Sequence, residues 1–329
     1  MGYYLKQLTN TQRCLYNLLV QAVYKHQDEV KINLNCNTKD VKQVINAIEL
    51  IHPEFFYLGN RYVTETMNQR VVSVRFKYIN GKSDIKVFEK ALTRIDKQLK
   101  IKKNMNEWMI VKTIHDYLIQ TVKYDKRAGL NIYSSFGALV EHKAVCSGIA
   151  KAFKLLCNRY NIVCSCISGK GKNEDHMWNI VKIKQSYYHI DVTWDINLSK
   201  KDRICYDYFL LNDAWIMQDH SHFPYIIKCN TMKDHYYVVN DMYCRNQRVL
   251  EQKLKEQLLN NQKYLLFKVE FAFDKAILHQ YLCDYCFMIR DQNKLTFTQI
   301  KTTINETQRC IEISLSDKQT IWQRLWNSK

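Results

Sequence analysis

The segment AVCSGIAKAFKLLCNRY, residues 144–160, decides the fold because it sets a cysteine directly before a helical pattern. Apolar side chains recur at helical spacing after that cysteine, at Ile149, Ala152, Phe153, Leu156 and Tyr160. Cys146 is therefore predicted to open a helix. The unpaired N–H groups and the positive end of the helix dipole stabilise an anion there, so a thiol in this position ionises more easily.

Two later segments supply partners for this thiol. HMWNIVKI (176–183) and YYHIDVTWD (187–195) are rich in aromatic and β-branched residues, and the polar residues between them predict a β-hairpin. A two-residue turn directly after the first segment puts His176 opposite Thr193. Asp191 then lies on the same face, one diagonal step from His176, and we expect a hydrogen bond between the two side chains.

Cys146, His176 and Asp191 together have the chemistry of an activated thiol. A free thiol is only a few per cent ionised at neutral pH, and a neighbouring imidazole converts it to a thiolate–imidazolium pair. A carboxylate on the far ring nitrogen holds the tautomer and stabilises the cation. The imidazolium then protonates a leaving amine, so the three residues suit acyl transfer at an amide.

The same residues carry a family resemblance. The run SFGALVEHKAVCSGIAKAFKLLC (135–157), the H-x-W-N context of His176 and the D-x-T-W-D context of Asp191 resemble the transglutaminase-like superfamily, relatives of the papain fold. The resemblance covers residues 104 to about 228 and implies an α+β core in which a nucleophile helix packs on an antiparallel sheet. Ile149 departs from the pattern, since many relatives carry an aromatic residue there.

The family resemblance implies a class of reaction. Members of the superfamily include protein cross-linking enzymes, peptidases, deglycosylating amidases and inactive interaction modules. We therefore expect cysteine-dependent acyl transfer or hydrolysis at protein or peptide amides, in the manner of a transglutaminase or a cysteine protease. A non-catalytic protein-interaction scaffold of the same fold is the alternative. No cofactor is expected, and the calcium that some members require has no cluster of candidate ligands in this sequence.

Other residues of the catalytic segments have open roles. Trp178 shares the face of His176 by alternation, so it is expected either to shield the ion pair and line the substrate groove or to pack in the core. By strand alternation, Asp195 would lie on the same face as Asp191. It lies near the predicted strand end, however, and is assigned to structural hydrogen bonding. The glycine-rich stretch 169–173 is predicted to be a surface loop.

The oxyanion of an acyl-transfer intermediate needs two hydrogen-bond donors. The backbone N–H of Cys146 is the natural first donor. The second is expected upstream, and the sequence leaves Tyr133, Ser134 and Ser135 as alternatives.

The length of 329 residues predicts more than one domain, and the 47% apolar content is enough to fill their cores. We expect an N-terminal α/β region at 1–103 that braces the core, the catalytic core at 104–228, and a small α+β domain at 229–329.

Periodicity predicts the elements of the two flanking regions. In the first region they are a helix at 9–27, a helix capped by Asp40 that ends near Pro53, strands at 55–65 and 70–79, and a basic helix at about 83–100. In the last region they are a strand at 236–243, a helix at 249–262, a strand at 264–271 and a helix at 273–287.

The twelve cysteines are interpreted as reduced thiols, because the N-terminus lacks the apolar core and cleavage site of a secretory signal. We expect a cytoplasmic protein without membrane insertion, since no run approaches ~20 apolar residues. Cys283 and Cys286 have zinc spacing but no second pair follows. A zinc site built from Cys157, His176, His220 and His222 would leave the context of Asp191 unexplained, so no metal is predicted.

The net charge of +17 and the 22 tyrosines favour anionic partners such as nucleic acid. Lysine and arginine are scattered along the whole chain, however, and no nucleic-acid-binding motif is present. A lysine-rich composition explains the charge with fewer assumptions. The expected partner is therefore a protein or peptide substrate, without a specific nucleic-acid partner.

Overall fold

The computed structural model describes residues 2–59, 61–223 and 227–317. The chain forms two compact units, Met1–Thr231 and Met232–Lys329. The predicted division into 1–103, 104–228 and 229–329 stays a prediction, and the part of its last region beyond residue 317 lies outside the described residues. No helix among the described residues combines the length and the apolar character that a bilayer crossing needs.

The described residues of the first unit form several helices. They are α1 (Gly2–Lys6), α2 (Asn10–Tyr24), α3 (Thr38–Ile51), α4 (Lys82–Leu99), α5 (Glu107–Thr121), α6 (Ser135–Leu139), α7 (Cys146–Arg159), α8 (Val192–Leu198) and α9 (Asp213–Ile216). A 3₁₀ turn spans Leu130–Tyr133. The predicted cap of α3 was wrong by three residues: Asn37 is the cap, and Asp40 completes a capping box by accepting the N–H of Asn37 at 2.9 Å.

A small antiparallel sheet lies in the N-terminal part of the first unit. It has the order β1-β3-β2, with β1 (Glu29–Lys31), β2 (Tyr62–Met67) and β3 (Arg70–Phe76). The strand predicted at 55–65 begins only at Tyr62, because residues 56–59 form turns. Phe55, Phe56 and Tyr57 are all buried, so this stretch packs without the alternation that a half-buried strand requires.

The larger antiparallel sheet carries the candidate site. Its order is β8-β7-β6-β9, with β6 (Cys164–Gly171), β7 (Glu174–Ile183), β8 (Ser186–Ile190) and β9 (His220–Ser221), and a short parallel pair joins β4 (Lys123–Tyr124) to β5 (Lys143–Ala144). Ile149 and Phe153 of α7 are buried, and the Asn179 amide of β7 donates to the Ala150 carbonyl of α7 at 3.0 Å. The predicted α+β core, a helix packed on an antiparallel sheet, is confirmed.

The β7–β8 hairpin has the predicted two-residue turn and register, since Ile183 pairs with Ser186. The strand ends at Ile190, however, so the prediction that Thr193 lies opposite His176 was wrong: Thr193 lies in α8. The loop predicted at 169–173 was also too long. β6 continues to Gly171, and the turn consists of residues 172–173, both with positive φ.

The second unit has its own four-stranded sheet of order β10-β11-β13-β12. The strands are β10 (Tyr243–Cys244), β11 (Tyr264–Val269), β12 (Gln299–Asn305) and β13 (Cys310–Ser316), and the helices are α10 (Tyr236–Val239), α11 (Gln247–Leu259) and α12 (Lys275–Asn293). The strand predicted at 236–243 was wrong, because its first half forms α10. Leu254 of α11 and Leu282 of α12 contribute to one buried cluster with the sheet.

All twelve cysteines are free thiols in this structure. Cys14 on α2 is exposed, Cys146 and Cys283 are half-buried, and the other nine are buried. Buried thiols behave as small apolar side chains, which agrees with the prediction of reduced cysteines that fill the core.

Candidate active site

Cys146 is the first residue of α7 and is half-buried. Val145 occupies the cap position and has no side-chain oxygen with which to satisfy the first N–H groups. The residue two positions later must be small. A Cβ added to Gly148 would lie 2.3 Å from the carbonyl oxygen of Ile132 and 3.0 Å from that of Ser134. The segment before α7 therefore passes directly across the first turn of the helix.

His176 lies near the start of β7 and connects the thiol to a carboxylate. Its Nε2 lies 2.6 Å from Oδ2 of Asp191, and Cys146 is close enough to help raise the pKa of the same imidazole. Because the Asp191 carboxylate occupies Nε2, Nδ1 is the ring nitrogen left for the thiol. The three predicted side chains are thus brought together in the order that an activated thiol requires.

The electrostatics of this cluster favour an ion pair. Burial alone would lower the pKa of His176, but the charge and hydrogen bond of Asp191, together with Cys146, outweigh burial and raise the pKa to about 10. Burial would raise the pKa of Asp191, yet His176 and His220 hold the pKa of that carboxyl well below its usual range. An imidazolium beside a carboxylate is the charge state that these directions describe.

The two carboxylate oxygens of Asp191 make different contacts: one caps a helix and the other faces His176. The residue is fully buried and is the N-cap of α8, where Oδ1 accepts the N–H of Trp194 at 3.2 Å. Oδ2 faces the imidazole of His176. The helix start thus fixes the carboxylate, and the carboxylate in turn fixes the histidine ring.

A second histidine, which the sequence analysis considered only as a zinc ligand, contacts the same carboxylate. His220 Nε2 lies 3.0 Å from Asp191 Oδ2, and its Nδ1 lies 2.7 Å from Oδ1 of Asp219. The Tyr208 hydroxyl donates to Oδ2 of Asp219 at 2.6 Å. The only available signal in the sequence was the Asp219–His220 pair within the C-terminal flank that resembles the family.

The two tryptophans near His176 differ in exposure. Trp178 is 1% exposed, its ring centre lies 6.0 Å from that of His176, and its Nε1 donates to Nδ1 of His189 at 3.0 Å. Such a side chain packs beside the histidine and does not line an open groove, so the structure favours the packing role among those predicted. Trp194 is half-buried with its ring centre 5.6 Å from that of His176, and it borders the site instead.

Asp195 lies within α8, one turn after Asp191, and not at a strand end as predicted. Its Oδ2 lies 3.1 Å from Nε2 of His115, and its Oδ1 accepts the N–H of Tyr208 at 3.1 Å. Burial raises the pKa of Asp195 to about 7, although His115 opposes this shift. These contacts are the structural hydrogen bonds that the sequence analysis assigned to Asp195.

The predicted alternatives for the second oxyanion donor have different surroundings. The Ser134 hydroxyl donates to the carbonyl of Asn131 at 2.8 Å, and the Ser135 hydroxyl donates to the carbonyl of Pro53 at 2.6 Å. Both hydroxyls therefore donate their protons to backbone carbonyls and not toward a substrate oxygen. Tyr133 is 57% exposed.

Tyr124, which the sequence analysis did not single out, lies close to the nucleophile. Its strand β4 pairs with β5, so Tyr124 lies beside Ala144, two residues before Cys146. Burial raises the pKa of the half-buried Tyr124, and the largest charge contribution comes from Cys146. Its phenol is an additional candidate donor at the mouth of the site.

Two clusters of described residues have three ligand-type atoms within 4.8 Å of one another: His176, Asp191 and His220, and His189, Asp213 and Cys229. Donor atoms around one tetrahedral zinc ion are about 3.3 Å apart, given bond lengths of about 2.0–2.1 Å. The nitrogen–oxygen distances are shorter, at 2.6 Å for His176–Asp191 and 2.9 Å for His189–Asp213, so they are direct hydrogen bonds. A histidine that binds zinc through Nε2 carries its proton on Nδ1. Nδ1 of His189 instead accepts a hydrogen bond from Trp178, so it carries no proton.

Residues 95–192 match the family model of the Transglutaminase-like superfamily. No curated protein matches the chain. A TGase of known structure is 16% identical, with a TM-score of 0.32, over 53% of this chain and 52% of that one.

Two further solved structures are similar to the chain. A candidate cysteine protease from Cytophaga hutchinsonii is 15% identical, with a TM-score of 0.28, over 40% of this chain and 61% of that one. A candidate protease from Parabacteroides distasonis is 13% identical, with a TM-score of 0.23, over 39% of this chain and 35% of that one. This chain thus spans about half the length of the TGase and less than two thirds of each protease.

Proposed function

This chain carries a core of the transglutaminase-like superfamily, and from that premise we propose that it is a cysteine-dependent enzyme acting on protein or peptide amides. The observation that supports the proposal most strongly is the hydrogen bond of 2.6 Å between His176 and the buried carboxylate of Asp191, with Cys146 at the start of α7 contributing to the raised pKa of His176. A thiol at a helix start, an imidazole and an orienting carboxylate are the parts that acyl transfer needs.

The proposed reaction has two halves. In the first, the Cys146 thiolate attacks the amide carbonyl carbon, and the N–H of Cys146 stabilises the oxyanion that forms. The His176 imidazolium then gives its proton to the amine nitrogen as the carbon–nitrogen bond breaks, which leaves a thioester. In the second half, neutral His176 takes a proton from water or from a primary amine as that group attacks the thioester. The products are a carboxylic acid or a new amide, and the free thiol.

The surroundings of the nucleophile support a polypeptide substrate. Trp194 is half-buried beside His176, and the amine of Lys172 lies 5.5 Å from its ring centre. Lys126 and Glu174 form an exposed ion pair at 3.6 Å between the start of β7 and the segment after β4. An aromatic face flanked by charged groups suits an extended peptide, whose side chains are both apolar and polar.

The proposal is tested with dimethylated casein and a peptide library as acyl donors, each with and without a fluorescent primary amine. Incorporation of the amine supports transfer, whereas new N-termini in its absence support hydrolysis. Either product must disappear in Cys146→Ala and persist in the matched variant Cys14→Ala, which removes an exposed thiol of α2. Turnover that survives Cys146→Ala contradicts the proposal. Absence of any acyl-enzyme at Cys146, with partner binding that Cys146→Ala retains, favours the non-catalytic scaffold.

A further inference from the structure

His220 occupies a position that the proposed reaction does not use. Its Nε2 lies 3.0 Å from the same carboxylate oxygen of Asp191 that accepts from His176 at 2.6 Å. Both imidazoles and the carboxylate are buried. One buried oxygen therefore accepts hydrogen bonds from two histidine rings, and Cys146 contributes to the raised pKa of His176 but is not among the causes of the raised pKa of His220.

The second nitrogen of His220 also faces a carboxylate. Nδ1 lies 2.7 Å from Oδ1 of Asp219, and Oδ2 of Asp219 accepts the hydroxyl of Tyr208 at 2.6 Å. An ionised carboxylate only accepts, so a ring held between two of them donates from both nitrogens and is an imidazolium. Burial lowers the pKa of His220, but the hydrogen bonds to Asp191 and Asp219 outweigh burial and raise it overall.

The fold holds this ring firmly in place. β9 pairs with the edge of β6, where His220 lies opposite Gly171, and the N–H of Lys172 donates to the carbonyl of Asp219 at 3.0 Å. The ring centres of Trp194 and Trp178 lie 4.3 Å and 4.8 Å from that of His220. Aromatic rings thus exclude water from the contact with the carboxylate, which strengthens the interaction between the charges.

We propose that His220 is a positioning residue that acts on the thiol–imidazole pair through the Asp191 carboxylate. This inference rests on the proposed function, because it assigns to His220 the tuning of the same site. The ring fixes the direction of the carboxylate, and its positive charge neutralises part of the negative charge that Asp191 presents to His176. His220 thereby sets the pH range in which the ion pair of Cys146 and His176 exists.

Charged and titratable groups face His220 from every neighbouring element. They are Asp191 at the start of α8, Asp219 beside it in the chain, His176 of β7, His189 of β8, Tyr208 after α8, and Lys172 across the ring of Trp194. The groups that hydrogen-bond to His220 are carboxylates. Burial and the charge of His220 lower the pKa of His189, which agrees with a neutral ring there. Loss of His220 therefore leaves net negative charge beside His176.

Extra negative charge has a predictable direction of effect. It stabilises the His176 imidazolium and disfavours ionisation of the Cys146 thiol, so both limits of the ion-pair range move to higher pH. His220→Gln removes the charge but keeps an amide that can donate to Asp191. Asp219→Asn leaves the ring in place, and the amide oxygen of asparagine can still accept from Nδ1 of His220, so the ring keeps its charge while one negative charge is lost. The two variants thus change the charge beside His176 in opposite directions, since His220→Gln removes a positive charge and Asp219→Asn removes a negative one.

The test measures the alkylation of Cys146 by iodoacetamide between pH 4 and pH 10 in the full chain, with exposed Cys14 as the internal reference. The acid limb of the rate profile, where the rate rises as the thiol ionises, is expected to move up by about one pH unit in His220→Gln and to move down in Asp219→Asn. Phe223→Leu is the matched control, because it changes the packing of a buried ring beside Trp178 without removing a charge. The limb is expected to stay in place in this control.

A purely structural histidine would lower the rate by the same factor at every pH and leave the limb unmoved in both variants. That result overturns the inference while the proposed function survives. If His220→Gln does not fold, Asp219→Asn decides alone. A wild-type Cys146 that reacts no faster than Cys14 at any pH overturns the inference together with the proposed function. Movement of the limb to higher pH in His220→Gln and to lower pH in Asp219→Asn, with no movement in Phe223→Leu, supports it.

Discussion

Replacing Asp191 with asparagine separates the two tasks of this residue. Asparagine is as good a helix cap as aspartate, so its oxygen can still accept the N–H of Trp194. The amide nitrogen that replaces Oδ2 is a donor, however, and it would face the donor nitrogens of His176 and His220. The helix start is therefore retained while the support of both imidazoles is lost.

The magnitude follows from the two lost hydrogen bonds. Each joins a carboxylate to a ring nitrogen, and a hydrogen bond to a charged group contributes about 1.5–3 kcal/mol. We expect the free energy of unfolding at pH 7 to fall by about 3 kcal/mol or more in Asp191→Asn. The sign depends on pH: because the folded-state pKa of Asp191 is depressed, its stabilisation is present above the ordinary value of 3.8 and is lost on acidification.

The same substitution changes the tautomer of His176. The ring would accept at Nε2 and carry its proton on Nδ1, so it could no longer take the proton of the thiol. An unactivated thiol is only about 0.3% ionised at pH 6, so we expect alkylation of Cys146 to fall roughly 100-fold.

The assay combines urea unfolding with mass spectrometry of alkylated peptides. Asp191→Ala is the control, since it also removes the helix cap and should cost about 1 kcal/mol more. An Asp191→Asn protein that keeps the wild-type alkylation rate of Cys146 and the wild-type unfolding free energy would refute the reasoning.

Three further predictions follow from contacts around His176. Trp178→Phe removes the donor to buried His189, so the unfolding free energy measured in urea should fall by about 2–4 kcal/mol; an unchanged value contradicts this. The added Cβ of Gly171→Ala would lie 2.9 Å from the ring of Trp194 and 3.2 Å from that of His176, so Cys146 alkylation should slow several-fold, and an unchanged rate would show that the rings are not confined. The folded-state pKa of His176 is raised from 6.5 to about 10, so its stabilisation is full below pH 6.5 and is lost as pH rises through about 10; unfolding in urea should show this loss in wild type and not in His176→Gln.

The sequence predicted the local parts of the site well because these parts have local causes. The helical spacing after Cys146 set the start of α7, and the two-residue turn set the hairpin register as far as Ile190. The class of the core and its helix-on-sheet packing followed from those two elements and the family resemblance.

The errors arise where one pattern suits two structures. In the D-x-T-W-D run, Asp191 and Thr193 alternate as strand residues do, but aspartate is also a strong helix cap. In the structure Asp191 accepts the N–H of Trp194 and caps α8, so the run forms a helix. Near α10, four aromatic and β-branched residues predicted a strand, but β10 begins only at Tyr243. Propensity alone does not decide such short segments.

The missed part of the site depends on a long-range contact. His220 reaches Asp191 across 29 residues, through an edge strand of only two residues. No periodicity marks so short a strand, and a histidine beside an aspartate is common on protein surfaces. Its role becomes visible only when β9 pairs with β6 and brings the ring against the carboxylate.

The central claim, a thiolate–imidazolium pair at the start of α7, is tested most directly by the alkylation rate of each cysteine against pH in wild type and in His176→Ala. Cys14 is exposed and serves as the reference for an unactivated thiol. Cys146 is half-buried, so greater exposure cannot explain a faster reaction at Cys146. The account predicts that Cys146 alone reacts quickly at pH 6 and that this advantage disappears without the imidazole. A Cys146 that reacts no faster than Cys14 at pH 6, or equally fast in His176→Ala, would contradict it.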